Sequence, residues 1–81
     1  MKKILTFIIS GVVDDPKQIE IDEEENNGFI TLTIKAPQDQ MGRLIGKQGK
    51  IIRSIRNVMK IPAIKQNKRI NITLSENSST N

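Results

Sequence analysis

The sequence predicts an α/β domain of the α+β type, with three helices on one face of a three-stranded mixed sheet, in the order α-β-β-α-α-β. Apolar residues recur every three or four positions near the N-terminus and again in the middle of the chain, as along one face of a helix. In three shorter segments they alternate with polar residues, which is typical of a strand with one buried face. With 81 residues the chain has room for one small domain. We expect this domain to span residues 1–75 and to be followed by a disordered polar tail, residues 76–81.

The first apolar run predicts a helix over residues 2–13. A basic start followed by apolar residues is also the pattern of a signal peptide, but Ser10-Gly11 interrupts the run and no small-x-small cleavage site follows. The run is also too short to span a membrane. We therefore expect a core-packing helix and a cytoplasmic protein that does not act at a membrane. The residues with helical spacing, which should bury apolar surface, are Ile4, Leu5, Ile8, Ile9 and Val12.

The next two segments predict a β-hairpin. Residues 18–23 alternate apolar and acidic side chains. The dipeptide Asn27-Gly28 favours a tight turn because both residues tolerate positive φ. The second strand should span residues 29–35 and end before Pro37, since proline cannot donate to a strand ladder. One face of this strand should carry Ile30, Leu32 and Ile34.

A short helix is expected after Pro37, which favours a helix start. Its apolar residues Met41, Leu44 and Ile45 should point inward. Gly42 lies among them and lowers the helix propensity by about 1 kcal/mol relative to Ala. We interpret this glycine as a sign that another backbone approaches closely, the alternative being a tolerated weakness in the helix.

A longer helix and a last strand complete the prediction. The helix should end by Ile61, because Pro62 disfavours helical backbone in the residue before it. Residues 69–74 alternate cleanly and predict the third strand. The last two strands flank the two helices, so their connection should be right-handed and the strands parallel. The apolar stripe of the longer helix comprises Ile51, Ile52, Ile55, Val58 and Met59.

Two glycines three residues apart separate these two helices. Gly46 and Gly49 allow a tight exposed turn that residues with a Cβ would resist. The free N–H groups at the start of the following helix attract phosphate. Lys47 adds a mobile charge, and Gln48 can hydrogen-bond a sugar or a phosphate. The four residues therefore predict a phosphate-binding loop, although Lys47 and Gln48 also fit an ordinary exposed turn.

The charges of the chain are distributed unevenly. Residues 1–39 contain four basic and eight acidic side chains, a net charge of −4, whereas residues 40–81 contain nine basic and one acidic side chain, a net charge of +8. Such asymmetry points to a polyanion bound on one surface. Near the glycine loop, Arg43, Lys50 and Arg53 should extend the positive field, although each would also fit a solvated helix face.

The composition argues against several classes of function. The sequence contains no Cys, His, Trp or Tyr, so disulfides, thiolate metal sites and the commonest general base are excluded. The acidic residues cluster in one strand and turn that should be solvated. We therefore expect no enzyme activity, no metal site and no cofactor. With only two Phe residues, stacking of bases on aromatic rings is not expected to dominate.

The glycine loop resembles the GXXG loop of KH domains, which clamps about four nucleotides of a single strand by their backbone. The whole segment from residue 1 to about 75 is similar to the small bacterial single-domain KH proteins of the KhpA (YlqC) family, and to a type II KH fold. The features that carry this resemblance are the N-terminal helix, the acidic strand before Asn27-Gly28, the dipeptides Ala36-Pro37 and Lys68-Arg69, and the run from Gly42 through Leu44-Ile45 to Gly46-Lys47-Gln48-Gly49.

This resemblance implies a protein that binds single-stranded RNA, as an RNA chaperone or post-transcriptional regulator linked to cell elongation and division. It also implies a homodimer, a heterodimer with a multidomain KH protein of the KhpB (Jag or EloR) type, or both. The sequence departs from the family pattern at one place, where Ile61-Pro62-Ala63-Ile64 replaces an Ala-rich continuation of the helix. The resemblance therefore supports a partner surface at that helix end less strongly than it supports RNA binding.

A KH groove is aliphatic, and its wall should be formed here by Leu44, Ile45, Ile52 and Ile72, unless these side chains belong to the core. Two alternatives remain open from the sequence. A single-stranded DNA binder would share the same loop and charge, and a protein-interaction adaptor would use the basic face to dock an acidic partner.

Overall fold

A computed structural model describes residues 1–76 and shows the predicted order of elements. Three helices are present in this part of the chain: α1 (Lys2–Ser10), α2 (Gln38–Ile45) and α3 (Lys50–Lys65). The strands are β1 (Glu20–Asn26), β2 (Phe29–Ala36) and β3 (Arg69–Glu76). A single 3₁₀ turn lies at Pro16–Gln18, and a tight turn with left-handed residues lies at Lys47–Gly49. The α+β architecture of a type II KH fold is thus confirmed.

The sheet has the order β1-β2-β3 and is mixed, as predicted. β1 pairs with β2 in antiparallel register and β3 pairs with β2 in parallel register. Asn27 and Gly28 both have positive φ (52° and 81°), which is the geometry of a type I′ hairpin turn. Because β2 is central, β3 is an edge strand of the described sheet.

Alternate residues of β2 divide the sheet into a buried face and an outer face. Ile30, Leu32 and Ile34 are buried as predicted, whereas Thr31 and Thr33 are only half-buried. The helices cover the buried face. The residues that they contribute to the core include Leu5 and Ile9 of α1, Leu44 of α2, and Ile52, Ile55 and Met59 of α3.

α1 is shorter than the sequence pattern predicts, and the predicted burial of one of its apolar residues is wrong. The helix ends at Ser10, and the N–H groups of Val12 and Val13 both bond to the carbonyl of Ile9 in a closing turn. The side chain of Ile4 was expected in the core but is 41% exposed. Ile4 lies about 100° around the helix from the buried Leu5, so it falls at the edge of the stripe that faces the core.

β1 begins and ends later than predicted, at Glu20 and Asn26. Alternation of apolar residues stops at Asp22, but the hairpin pairs the acidic residues after it with β2 up to the turn. Glu76 was expected in the disordered tail, yet it lies in β3 and pairs with Ala36. Residues 77–81 of that predicted tail lie outside the described residues.

The prediction that Pro62 ends α3 is wrong. The helix continues to Lys65, although proline has no N–H to bond the carbonyl one turn earlier. Ala63 is buried and extends the core stripe by one turn, which favours the extra helical residues. The N–H groups of Gln66 and Lys68 both bond to the carbonyl of Ala63 and close the helix end. The helix is therefore not interrupted at the position where the sequence departs from the family pattern.

Within residues 1–76, the helices are all too short or too polar to cross a bilayer.

Candidate nucleic-acid interface

The loop between α2 and α3 reverses the chain within four residues. Gly46 has φ 76° and ψ 176°, and its N–H still bonds to the carbonyl of Gly42 in the last turn of α2. Gln48 (φ 56°) and Gly49 (φ 73°) both adopt left-handed backbone, and the N–H of Gly49 bonds to the carbonyl of Gly46. Gln48 adopts this conformation despite having a Cβ, which costs about 1–2 kcal/mol.

The two glycines are needed for different reasons. A Cβ on Gly46 would lie 2.6 Å from Cγ1 and 2.9 Å from the backbone nitrogen of Ile51, too close for either to remain in place. Among the described residues, no other side chain or distant backbone lies within 4 Å of the Cβ position of Gly49. Gly49 is therefore required only for its positive φ. Gly46 is required for both φ and space, because α3 begins directly against it.

The first turn of α3 follows this loop directly. Gly49 is the residue that precedes the helix, and it has no side chain with which to cap the first N–H groups. These groups carry the positive end of the helix dipole. Lys47 and Gln48 beside them are exposed. The structure thus brings the four predicted loop residues together around an uncapped helix start, a geometry that suits an anion.

Arg53 has a role in the loop that the sequence does not reveal. Its Nη2 donates to the carbonyl of Gln48 at 2.8 Å, and its Nε lies 3.5 Å from the carbonyl of Gly49. The guanidinium therefore holds the two left-handed residues while adding a positive charge one turn into α3. It was predicted only as an extension of the positive field.

The other two basic residues predicted near the loop, Arg43 and Lys50, differ in whether an acidic side chain offsets their charge. Lys50 is exposed at the start of α3, next to the loop. Arg43 is exposed too, but its Nη2 lies 2.9 Å from a carboxylate oxygen of Asp14. Because this partner offsets its charge, Arg43 contributes less to the field at the loop than Lys50 does.

The four residues predicted to form an aliphatic wall fall into two groups. Leu44, Ile52 and Ile72 are buried in the core, so their side chains serve the fold. Ile45 was expected to point inward, yet it is 37% exposed and lies directly before Gly46. The inward position on α2 that the sequence analysis missed is Gln40, which is buried and accepts a hydrogen bond from the N–H of Asp14 at 3.1 Å.

The prediction that another backbone approaches Gly42 closely is wrong. Apart from its two chain neighbours and the backbone of its own helix, no described residue has an atom within 4 Å of the position that a Cβ would occupy. Gly42 is exposed on α2. The packing around α2 gives no reason for a glycine there.

Arg56 is a basic residue beside the predicted site that the sequence analysis did not select. Both its Nε and its Nη2 donate to the carbonyl of Ile72, at 3.3 and 3.2 Å. The guanidinium therefore lies against the open edge of β3. A sequence signal existed: at 3.6 residues per turn, Arg53, Arg56 and Lys60 fall within an arc of about 60° on α3.

The acidic residues concentrate on β1, at the opposite edge of the sheet from β3. On β1 and β2, Asp22 and Lys35 form an exposed ion pair of 2.7 Å. The hydrogen bond from Lys35 and its positive charge lower the pKa of the Asp22 carboxyl, and the same contact raises the pKa of Lys35. The sheet thus separates an acidic edge from an edge that faces the basic side of α3.

Comparison of the sequence with known proteins assigns the chain to a family. The sequence matches the family model described as "KhpA/KhpB, KH domain" over residues 2–74. It is 40% identical over 70 residues to the RNA-binding protein KhpA of Clostridium acetobutylicum, covering 86% of this chain and 93% of that protein. It is 39% identical, with the same coverage, to the protein of that name from Clostridium perfringens. The Listeria monocytogenes protein of the same name is 32% identical over 76 residues, covering 94% of this chain and all of that protein. The resemblance inferred from the glycine loop and its surroundings is thereby confirmed, and the chain belongs to the KhpA/KhpB KH domain family.

Proposed function

We propose that this protein binds short single-stranded RNA through the loop Gly46–Gly49. The observation that carries the proposal is the uncapped start of α3, which lies behind two left-handed residues and beside the exposed Lys47 and Gln48. Backbone N–H groups at such a helix start bind phosphate oxygens. The names of the relatives, which describe RNA-binding proteins, support the choice of ligand.

In this proposal the loop holds the phosphates and the neighbouring surface contacts the bases. Lys47 and Lys50 attract the strand, and Gln48 hydrogen-bonds its sugars or phosphates. Ile45 offers an exposed aliphatic contact beside the loop. About four nucleotides fit such a clamp. Recognition that depends mainly on phosphates gives modest sequence preference.

We propose further that the protein acts without catalysis, in the cytoplasm, as an RNA chaperone or post-transcriptional regulator linked to cell elongation and division. A single-stranded DNA binder would use the same loop, and the 2′-OH is the systematic difference between the two ligands. Competition between RNA and DNA oligomers of matched sequence separates these possibilities. A protein-interaction adaptor would show no saturable binding of either oligomer at moderate salt.

Binding to a short RNA should depend strongly on salt. For single strands the slope of log K against log salt is about −0.7 for each phosphate contacted, so two to four contacts should give a slope of roughly −1.5 to −3. Fluorescence anisotropy with a labelled four-nucleotide RNA at several potassium chloride concentrations measures this slope. A flat response would show that the basic surface is not the source of affinity.

We also propose that the protein pairs through the side of α3 that faces away from Arg56 and Lys60, with a second copy, a KhpB (Jag or EloR)-like KH protein, or both. Val58 and Ile61 are exposed there, by 47% and 57%. They lie about 60° apart on the helix and at least about 100° from Lys60. Phe7 of α1 is a further exposed apolar side chain, 80% accessible. Neighbouring exposed apolar side chains, such as Val58 and Ile61 on one side of α3, mark an interaction surface.

The variant Val58→Lys/Ile61→Lys should weaken self-association at least tenfold, since two charges would be buried in an apolar contact. Sedimentation velocity across a concentration series measures the dimer constant. The variant Gln18→Lys/Gln66→Lys adds the same charge at exposed polar positions and is the matched control. Equal dimer constants in the two variants, or a protein that stays monomeric throughout, would contradict this surface.

A further inference from the structure

The outer edge of β1 has backbone groups that the sheet does not use. β1 is seven residues long and lies at one edge of the sheet, with β2 on its other side. In a two-residue hairpin the residues that flank the turn exchange both of their hydrogen bonds, so Asn26 bonds to Phe29 and the alternation runs back along β1 from there. The N–H and carbonyl groups of Ile21, Glu23 and Glu25 therefore point away from the sheet. No backbone group of another described element bonds to them.

Little of the described chain covers this edge. Apart from Ile21, every residue of β1 is exposed. α1 lies beside the start of the strand, and a cleft of about 340 Å³ separates the two elements. Its apolar lining consists of Ile9, Pro16, Ile19 and Ile21. The edge thus combines free backbone groups with a recess large enough for one aliphatic side chain.

The charge on β1 decides what can pair with it. Five of its seven residues are acidic and none is basic. Two of these carboxylates, Asp22 and Glu25, are paired with lysines. Among the described residues, no basic side chain lies within ion-pair distance of Glu23 or Glu24. Their side chains point to opposite faces of the strand, so the edge is negative on both sides.

This charge disfavours two occupants of the edge. A nucleic acid would be repelled by the carboxylates. A second copy that paired β1 with β1 around a two-fold axis would set carboxylates against carboxylates, and like charges directly opposite each other destabilise a strand pair. The strand β3 of a second copy offers little compensation, since Arg69 is its one cation and Glu76 lies at its end. A strand that pairs here must be basic.

We propose that the outer edge of β1 binds an extended basic segment of another protein, which adds a fourth strand to the sheet. In such a complex, main-chain hydrogen bonds give affinity and alternate side chains give specificity. Lys or Arg residues opposite Glu23 and Glu24 supply the complementary charge. An aliphatic residue opposite Ile21 lies on the same face as that side chain and enters the cleft beside α1. The site lies at the opposite edge of the sheet from β3, and the inference does not depend on RNA binding.

The probe is a fluorescein-labelled peptide, Thr-Lys-Lys-Lys-Val-Lys-Val, as long as β1. In antiparallel register its three consecutive lysines lie opposite Glu24, Glu23 and Asp22, and the following valine lies opposite Ile21. The protein has a net charge of +4, so it does not attract a basic peptide as a whole. Fluorescence anisotropy near physiological salt should nevertheless show saturable binding. N-methylation of the third and fifth peptide residues keeps every charge but removes the N–H groups that face β1, and it should weaken binding at least about tenfold.

The variant Glu23→Gln/Glu24→Gln should weaken binding of the unmodified peptide at least about fivefold, because two lysines lose their carboxylate partners. Both positions are exposed, so the fold is retained. The matched control Asp39→Asn/Glu76→Gln removes two exposed carboxylates on α2 and β3. It should bind the peptide within about twofold of the unaltered protein, since charges farther away than about 8 Å are screened at this salt.

Hydrogen exchange locates the contact on the full chain. Saturating peptide should slow exchange at the N–H groups of Ile21, Glu23 and Glu25 at least about tenfold, because each gains a hydrogen bond. The N–H groups of Asp22 and Glu24 already bond to β2 and should change less. NMR spectra of nitrogen-15-labelled protein give all five rates and report in the same samples that each variant is folded.

Three outcomes would overturn the proposal. One is equal affinity for the unmodified and the N-methylated peptide, which would show attraction by charge without strand pairing. Another is equal affinity in the Glu23→Gln/Glu24→Gln variant and its control. The third is the absence of saturable binding, or of slower exchange along β1, in the unaltered protein. None of these results bears on the loop, because RNA binding is measured separately with the four-nucleotide oligomer.

Discussion

Replacing both Lys47 and Gln48 with Asp is expected to lower the affinity for a four-nucleotide RNA at least tenfold, a loss of about 1.4 kcal/mol. The local charge changes from +1 to −2 at the position where phosphates approach the start of α3. The two carboxylates would repel the strand and would also compete for the N–H groups of the helix start.

The same substitution should leave the fold nearly unchanged. Both side chains are exposed, and Gly46 and Gly49 keep the backbone of the turn. Asp tolerates the left-handed backbone of position 48 at least as well as Gln does. Arg53 holds the loop through backbone carbonyls, which the substitution does not remove. We therefore expect a change of about 0.5 kcal/mol in the free energy of unfolding.

The chain supplies its own matched control. Lys65-Gln66 is the same dipeptide, exposed at the other end of α3. The variant Lys65→Asp/Gln66→Asp changes the net charge equally and should bind the four-nucleotide RNA within about twofold of the unaltered protein. Anisotropy titration and a thermal melt on the same samples provide both readouts. A folded loop variant with unchanged affinity would reject the KH mechanism and favour the protein-adaptor hypothesis.

Most of the fold could be predicted because its signals are local. The spacing of Leu5 and Ile9, the alternation around Leu32 and the turn at Asn27-Gly28 each depend on residues close in sequence, and each is found where the pattern places it. The errors arise where packing outweighs a local preference. Pro62 disfavours helix locally, but burial of Ala63 prolongs α3 past it.

The glycine loop could be identified from sequence because its backbone demands specific residues. Gly46 and Gly49 both have positive φ, and Gly46 also lies against Ile51, so both positions require glycine and leave a recognisable spacing in the sequence. The hydrogen bond from Arg53 to the carbonyl of Gln48 could not be predicted. It forms only because the left-handed backbone of Gln48 directs this carbonyl toward α3.

The contact of Arg56 with the edge of β3 could not be predicted either, because it forms where two segments distant in sequence pack together. Arg56 and Ile72 are adjacent only because β3 returns alongside α3. Sequence periodicity places Lys60 on the same side of the helix as Arg56. It cannot show that this side faces a strand edge rather than solvent.

The largest effect on stability is expected from removal of α1. Leu5 and Ile9 are 0% and 2% exposed and belong to the same core as the sheet. Deleting residues 2–12 removes both, along with the partly buried Ile8 and Val12 that pack against that core. Each buried aliphatic side chain reduced to Ala costs roughly 2–5 kcal/mol. A domain of this size has a total of about 4–12 kcal/mol, so the truncated protein should be unfolded.

Point substitutions make the same test without shortening the chain. Leu5→Ala should lower the free energy of unfolding by roughly 2–5 kcal/mol, whereas Ile4→Ala, at a 41% exposed position, should lower it by no more than about 1 kcal/mol. Phe7→Ala, at a position on the same helix that is 80% exposed, is the control and should have little effect on a monomeric sample. Urea unfolding followed by circular dichroism gives the three values. If the truncated chain unfolded at the same urea concentration as the full chain, α1 would contribute nothing to the core, and the signal-peptide interpretation of the first residues would be favoured instead.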